Sequence, residues 1–409
     1  RRLAALLLAG GALGLIPLSL PGPAGAAPVS APELLAPEPL APVLTTDSRL
    51  VRALGLVSAG DLEGAETLVA EALALRPDLA PAHEIRGVIA TRRGDLDAAV
   101  AAFTRAVELA PGQSSALAKL GDIRLQAFGD VEGARALFLR VLEIDPADRL
   151  AHQRLGLICE AARDADCAIM HFERGLVGTP PGYLGIRTNL ALLYNQTGRP
   201  EAARALLAPF DPGPEAPLAP GDAGGALVMR ALGNAELALG MTGPAAARYR
   251  AILAAVPQDL AAGLGLGAAL MAEGAPAAAA DHLGALAAAH PDDAGLALDL
   301  ARARAAAGDG AGALAGIAAF EAHRAGALPP DLLDLAGQLS QAGGDLAAAE
   351  ARFRALREAL PDSPAPLARL GMLYGLQQRY PEALAAFEAG LALAPDQPLL
   401  LRGAARAQQ

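Results

Sequence analysis

The chain has 409 residues and a formal net charge of −11, with 53% hydrophobic residues but only 3% aromatic residues and no Trp. This length allows a large core or several domains, and a core drawn mainly from Ala and Leu favours helices over strands. The acidic balance argues against a nucleic-acid partner, because phosphates need a basic face, and otherwise serves solubility.

The chain opens with Arg1 and Arg2, followed by an apolar run from Leu3 to Leu20 and the small-residue stretch Ala24-Gly25-Ala26. A basic start, apolar middle and small-residue end predict a secretory signal over 1–27, hence an exported, periplasmic protein. The alternative is an uncleaved segment that anchors the chain in a membrane. Residues 28–45 are rich in Pro and Ala and predict an extended, semi-rigid tether.

From residue 46 onward, prolines mark a regular interval. Pro77 to Pro111, Pro146 to Pro180, Pro257 to Pro291 and Pro361 to Pro395 are each 34 residues apart. Inside the interval the same residue types return. A small residue (Gly87, Gly121, Gly156, Gly233, Gly267, Gly337, Gly371) is followed by Ala99, Ala134, Ala168, Ala245, Ala279, Ala349 or Ala383. Next comes a bulky residue such as Phe103, Phe138, Phe172, Tyr249, Phe353 or Phe387. Small residues let two helices cross closely, and the ring fills the space beside the crossing. Gly94 suits a left-handed helix end, and Pro111 cannot continue a helix. Two units carry Leu207 and Ile317 at the bulky position.

A 34-residue period with these residues resembles the tetratricopeptide repeat family over about residues 46–397, in the manner of its exported bacterial members. The resemblance implies an all-α fold, a right-handed α-solenoid of about ten tetratricopeptide helix–turn–helix repeats. The Pro- and Gly-rich stretch Asp211–Gly225 predicts a break. The expected layout is an N-terminal array over 46–217, a linker over 218–225, a C-terminal array over 226–397 and a capping helix over 398–409, whose Leu399–Leu401 would cover the last repeat.

The resemblance also implies that the first helix of each repeat lines a concave groove, with ligand positions at Glu84, Thr91, Asp122, Gln153, Arg154, Glu160, Thr188, Asn189, Asn195, Arg230 and Asn234. Such a polar face suits an extended peptide. Later repeats place Leu264, Ala268, Met271, Leu298 and Met372 there, predicting an exposed apolar strip for a partner helix or a second copy. Arg230 and Asn234 match part of a clamp for a peptide carboxylate known in the family. Gly265 stands where that clamp has Asn, so the two read better as ordinary helix residues. Of an Asn ladder found in other members, only Asn189 is present.

The two cysteines, Cys159 and Cys167, flank the expected turn near Arg163-Asp164. Three readings are open: a disulfide, favoured by export, buried free thiols, or a metal set completed by His171, four residues after Cys167. The last lacks a fourth ligand, because His152 lies about 10 Å from Cys159 along the helix, so no metal and no cofactor are expected. No His-Glu-x-x-His, Gly-x-Ser-x-Gly or phosphate-loop motif occurs. Asn195-Gln196-Thr197 is a glycosylation acceptor pattern.

The expected function is therefore a non-enzymatic protein–protein interaction scaffold of the bacterial cell envelope, binding a protein or peptide partner. The membrane is involved only through a retained N-terminal segment. The alternatives are a self-assembling homo-oligomer, or a membrane-anchored assembly factor for a secretion, polysaccharide-export or cytochrome-maturation complex.

Overall fold

The computed structural model describes residues 47–178, 184–219, 221–324 and 326–409. The expected signal (1–27) and tether (28–45) lie outside them. Among the described residues there are 21 α-helices, one short 3-10 turn at Ala208–Phe210, and no strand. In chain order they pair as α1 Ser48–Ala59 with α2 Leu62–Leu75, α3 Ala80–Arg93 with α4 Leu96–Leu109, and α5 Ser114–Ala127 with α6 Val131–Ile144. Then come α7 Arg149–Ala161 with α8 Ala165–Gly175, and α9 Leu184–Gln196 with α10 Pro200–Leu207. The series resumes as α11 Ala223–Ala238 with α12 Thr242–Ala255, α13 Leu260–Ala272 with α14 Pro276–Ala289, and α15 Ala294–Ala306 with α16 Gly310–His323. It ends with α17 Pro330–Ala342 and α18 Leu346–Ala359, α19 Pro364–Leu376 and α20 Tyr380–Leu393, and the single helix α21 Pro398–Ala407. The helices thus follow one another as antiparallel pairs, the α-solenoid arrangement that the repeat period implies. No helix among the described residues is long and apolar enough to cross a membrane.

Local chemistry sets the helix ends. Asp61, Asp95, Asp130, Asp164, Asp309 and Asp345 each start the second helix of a pair, and each carboxylate accepts the backbone N–H three residues on. Gly94 closes α3 at φ 79°, a left-handed conformation open to glycine. Arg163 takes the same region, at φ 60°, in the α7–α8 turn.

At the α3–α4 crossing, Gly87 lies against Phe103, and a Cβ on Gly87 would stand 2.7 Å from the ring. The same contact recurs between Gly121 and Phe138. In the seventh pair, Leu283 replaces the ring against Gly267. The variant residues Leu207 and Ile317 are buried at the equivalent position.

The chain divides into two compact units, one ending at Phe210 and one starting at Asp211. In the first, Leu50 to Ile158 form one continuous apolar cluster. In the second, one cluster runs from Ala226 to Ala303 and another from Leu298 to Ala404. The stretch expected as a linker over 218–225 already contains the start of α11 at Ala223, with Asp222 as its N-cap.

Two expectations about apolar surface need correction. The capping helix buries Leu400 completely, while Leu399 and Leu401 are each 48% exposed, because successive helical residues point about 100° apart. The strip Leu264, Ala268, Met271, Leu298 and Met372 is not exposed: Leu298 is buried and the other four are half-buried. The neighbouring helices leave these side chains too little surface to form a docking strip.

Candidate functional site

The first helix of each pair does carry polar side chains, but the chain uses most of them internally. Glu84 is fully buried and accepts hydrogen bonds from Gln113, Ser115 and Lys119 of the next repeat. Arg154 is buried and its Nε donates to Asp122 across 2.6 Å, so two expected ligand groups pair with each other. Gln153 reaches the Gly175 carbonyl at 3.3 Å. Thr91 and Thr188 donate back to the carbonyls of Gly87 and Leu184, one turn earlier.

In the second unit, Arg230 lies 3.7 Å from Asp259, and Asn234 accepts from the Tyr249 hydroxyl at 2.7 Å. Arg230 is thus engaged with the N-cap of the following helix α13, and Asn234 with its own repeat. Asn195 is buried near the end of α9, which withholds it from a modifying enzyme in the folded state.

Among the described residues, two side-chain atoms on this face in the first unit are buried without a hydrogen-bond partner. They are Glu160 Oε2 near the end of α7 and Asn189 Nδ2 in the middle of α9. Asn189 is only 4% exposed, and burial raises the carboxyl pKa of Glu160. A buried polar group left unsatisfied costs about 1–3 kcal/mol, so these two atoms mark where an external donor and acceptor would be repaid.

Next to Glu160 in sequence, Cys159 on α7 is joined to Cys167 on α8 in a disulfide with Cα atoms 5.7 Å apart. The α7–α8 turn brings both positions together. His171 lies next to them, buried, with Nδ1 2.9 Å from Nδ1 of His152. Burial, with help from His152, Arg174 and Arg135, pushes His171 down to about 4, so its imidazole is neutral at neutral pH.

Sequence reasoning missed two buried polar contacts. Arg248 on α12 is 1% exposed, donates from two nitrogens to Asp211 at 2.8 Å each, and donates to Glu236 at 2.8 and 2.9 Å. The contact between His152 and His171 is the other. The signal for both was partial: the repeat position of Arg248 and His171 holds Leu68, Ala102, Leu137 or Ala386 in some units, but His282 and Arg352 in others.

Helical pairs of this length, crossing through Gly and Phe and capped by Asp, define a class of repeat solenoids built for surface rather than for an enclosed catalytic pocket. Tetratricopeptide repeat models match residues 50–114 and 335–398, and a second such model matches 90–156. The chain carries tetratricopeptide repeats over these residues. Proteins of this family generally act as non-catalytic scaffolds that bind protein partners.

Among solved structures, "Crystal structure of PilW, widely conserved type IV pilus biogenesis factor" is 18% identical, covering 52% of this chain and 94% of that one, at a TM-score of 0.39. "Crystal structure of MamA" is 19% identical over 40% of this chain and 93% of that one, at 0.35. "Crystal Structure of P58(IPK) TPR Domain at 2.5 A" is 17% identical over 88% and 96%, at 0.32. Likenesses of this strength carry no argument about partner or role. No curated protein matches the chain.

Proposed function

We propose that this protein is a non-enzymatic scaffold of the bacterial cell envelope that binds a peptide or protein segment on the first-helix face of its N-terminal unit. The observation that carries the reading is the pair of unsatisfied atoms, Glu160 Oε2 and Asn189 Nδ2, on a face whose other polar side chains are largely bonded internally. An extended segment supplies what they lack, since each of its residues offers a backbone N–H and a carbonyl. The disulfide supports export, because such bonds persist in oxidising compartments. The signal-like residues 1–27 point the same way.

The test is capture of partners by the tagged full chain from an envelope fraction, beside Glu160→Lys combined with Asn189→Ala. Arg154 is left alone, because breaking its buried pair with Asp122 would disturb the fold. The expected result is a stoichiometric partner that the variant loses while its helical circular dichroism is unchanged. Equal capture by both chains would refute the assignment to this face.

A second reading, self-assembly, is favoured by the exposed Leu376, Tyr380, Leu393, Leu399 and Leu401 in the last three helices. Light scattering on the purified chain separates the two: a concentration-dependent dimer that Leu399→Ser with Leu401→Ser dissolves would support it, and a monomer would end it.

A further inference from the structure

The α7–α8 hairpin collects more metal-ligating chemistry than a structural crosslink needs. Both cysteine sulfurs and a ring nitrogen of His171 lie within 4.8 Å of one another. A tetrahedral centre with bonds of about 2.3 Å to sulfur and about 2.0 Å to nitrogen holds its ligand atoms roughly 3.5 Å apart. Breaking the disulfide lets the two sulfurs move apart to that spacing, and the His171 nitrogen then needs to approach by only about 1 Å, which side-chain rotation in a short hairpin supplies.

The protonation pattern of the histidines follows from their partners. His152 Nε2 lies 3.1 Å from the Pro146 carbonyl, which can only accept, so the proton of a neutral His152 sits on Nε2. Its Nδ1 then accepts, and His171 Nδ1 must donate to it across 2.9 Å. His171 is left with its lone pair on Nε2, the arrangement of a metal-binding imidazole whose other nitrogen is held by a neighbour. The anchoring of His152 belongs to the repeat itself: His83, at the same place two repeats earlier, makes the same contact with the Pro77 carbonyl at 2.9 Å. What the fourth repeat adds is a histidine, His171, beside a pair of cysteines; the seventh repeat has His282 at the same position but no cysteine.

We propose that Cys159, Cys167 and His171 form a binding site for a soft, filled-shell cation, Zn2+ or Cu+, with His152 as the positioning residue for His171, and that the disulfide is the closed state of this site. Two thiolates and one imidazole are ligands that select such ions. Three protein ligands leave Zn2+ an open coordination position or give Cu+ a trigonal one.

The two states interconvert by thiol–disulfide exchange. A dithiol reductant attacks one sulfur, the Cys159–Cys167 bond breaks, and the reductant closes its own disulfide. Two electrons and two protons thereby pass to the protein sulfurs. Binding of the cation then releases the two thiol protons to solvent, while His171 binds without losing one. The oxidised chain has no thiolate to offer, so crosslink and metal exclude each other.

The experiment uses the full chain, either oxidised or reduced with a dithiol and freed of it without air. Each form is titrated with Zn2+ alone and with Cu+ alone against a chromophoric competitor. Co2+ is added to the reduced chain as a spectroscopic stand-in for Zn2+. The expected result is one equivalent bound by the reduced chain and none by the oxidised one, with a Co2+ spectrum showing thiolate charge-transfer bands. His171→Gln should lower affinity by about tenfold or more, and His152→Ala by about 10- to 100-fold. Cys159→Ser or Cys167→Ser should abolish the charge-transfer pattern of two sulfurs. The tighter of Zn2+ and Cu+ names the occupant. The proposal is overturned if the reduced, still helical chain binds neither ion at one equivalent, or if His171→Gln leaves the affinity unchanged. The Co2+ spectrum needs no substitution, so it decides the matter even where a variant fails to fold.

Discussion

Gly87 and Phe103 share one small volume where α3 and α4 cross, and each fits only because of the other. Gly87→Val would drive a branched side chain into a ring that has nowhere to go, since Phe103 is buried. The expected loss is about 1–3 kcal/mol, the usual cost of overpacking a core, read as a lower urea midpoint. Adding Phe103→Leu should recover part of it, because contacting residues are not additive. The seventh repeat, with Leu283 against Gly267, shows that leucine fits such a crossing.

A second residue governs a pH effect. Asp299 on α15 is pushed up to about 6, first by burial and then by Asp293, against the pull of Arg302. A raised carboxyl binds its proton more tightly in the folded than in the unfolded chain. Stability from this group is therefore present at low pH and lost as pH rises from about 4 to 6. The shift is worth about 3 kcal/mol at most, and solvent access reduces that to about 1–2 kcal/mol. Asp299→Asn should stabilise the protein by that amount at pH 7 and by almost nothing at pH 4, as thermal unfolding at the two pH values would reveal.

At the scale of elements, each helix pair is held by its caps and by its neighbour, and the last has only α21 beyond it. Leu400 packs against the α20 backbone at Gly390, and Gly403 comes close to Phe387. Leu400→Ser should open this end, raising amide hydrogen exchange across Tyr380–Leu393 by about tenfold or more, equivalent to a loss above about 1.4 kcal/mol, while leaving the α3–α4 amides unaffected. Spread of the effect into the first unit would contradict nearest-neighbour stabilisation.

At the scale of the whole molecule, the division into two units places Asp211 with the helices that follow it. Its carboxylate clasps Arg248 together with Glu236, inside a unit that would otherwise bury a guanidinium with one acceptor fewer. A fragment of residues 211–409 should therefore be more stable than one of 218–409, by about 2 kcal/mol. Chemical denaturation of the two fragments measures the difference, and equal stabilities would show the clasp to be dispensable.

The repeat architecture was legible in the sequence because period is a linear property. The prolines, the Gly–Ala–Phe spacing and the Asp caps act within one unit or with the next, so the residues that shape a hairpin are close along the chain. Which polar side chains remain free was not legible. Arg154 and Asp122 read alike as ligand positions, yet 32 residues of chain bring them together and cancel their use. Arg248 was hidden because its two carboxylates come from a loop 37 residues earlier and from the facing helix 12 residues earlier. The apolar strip failed for the same reason, since burial is set by neighbouring helices and not by the residue alone. The sequence by itself determined the repeat, its helices and the place of each crossing, because those depend on local propensity and spacing. Only the tertiary structure decided which side chains are satisfied and which two atoms on the first-helix face are left without a partner, because hydrogen-bond satisfaction and exposure depend on what packs across each repeat interface.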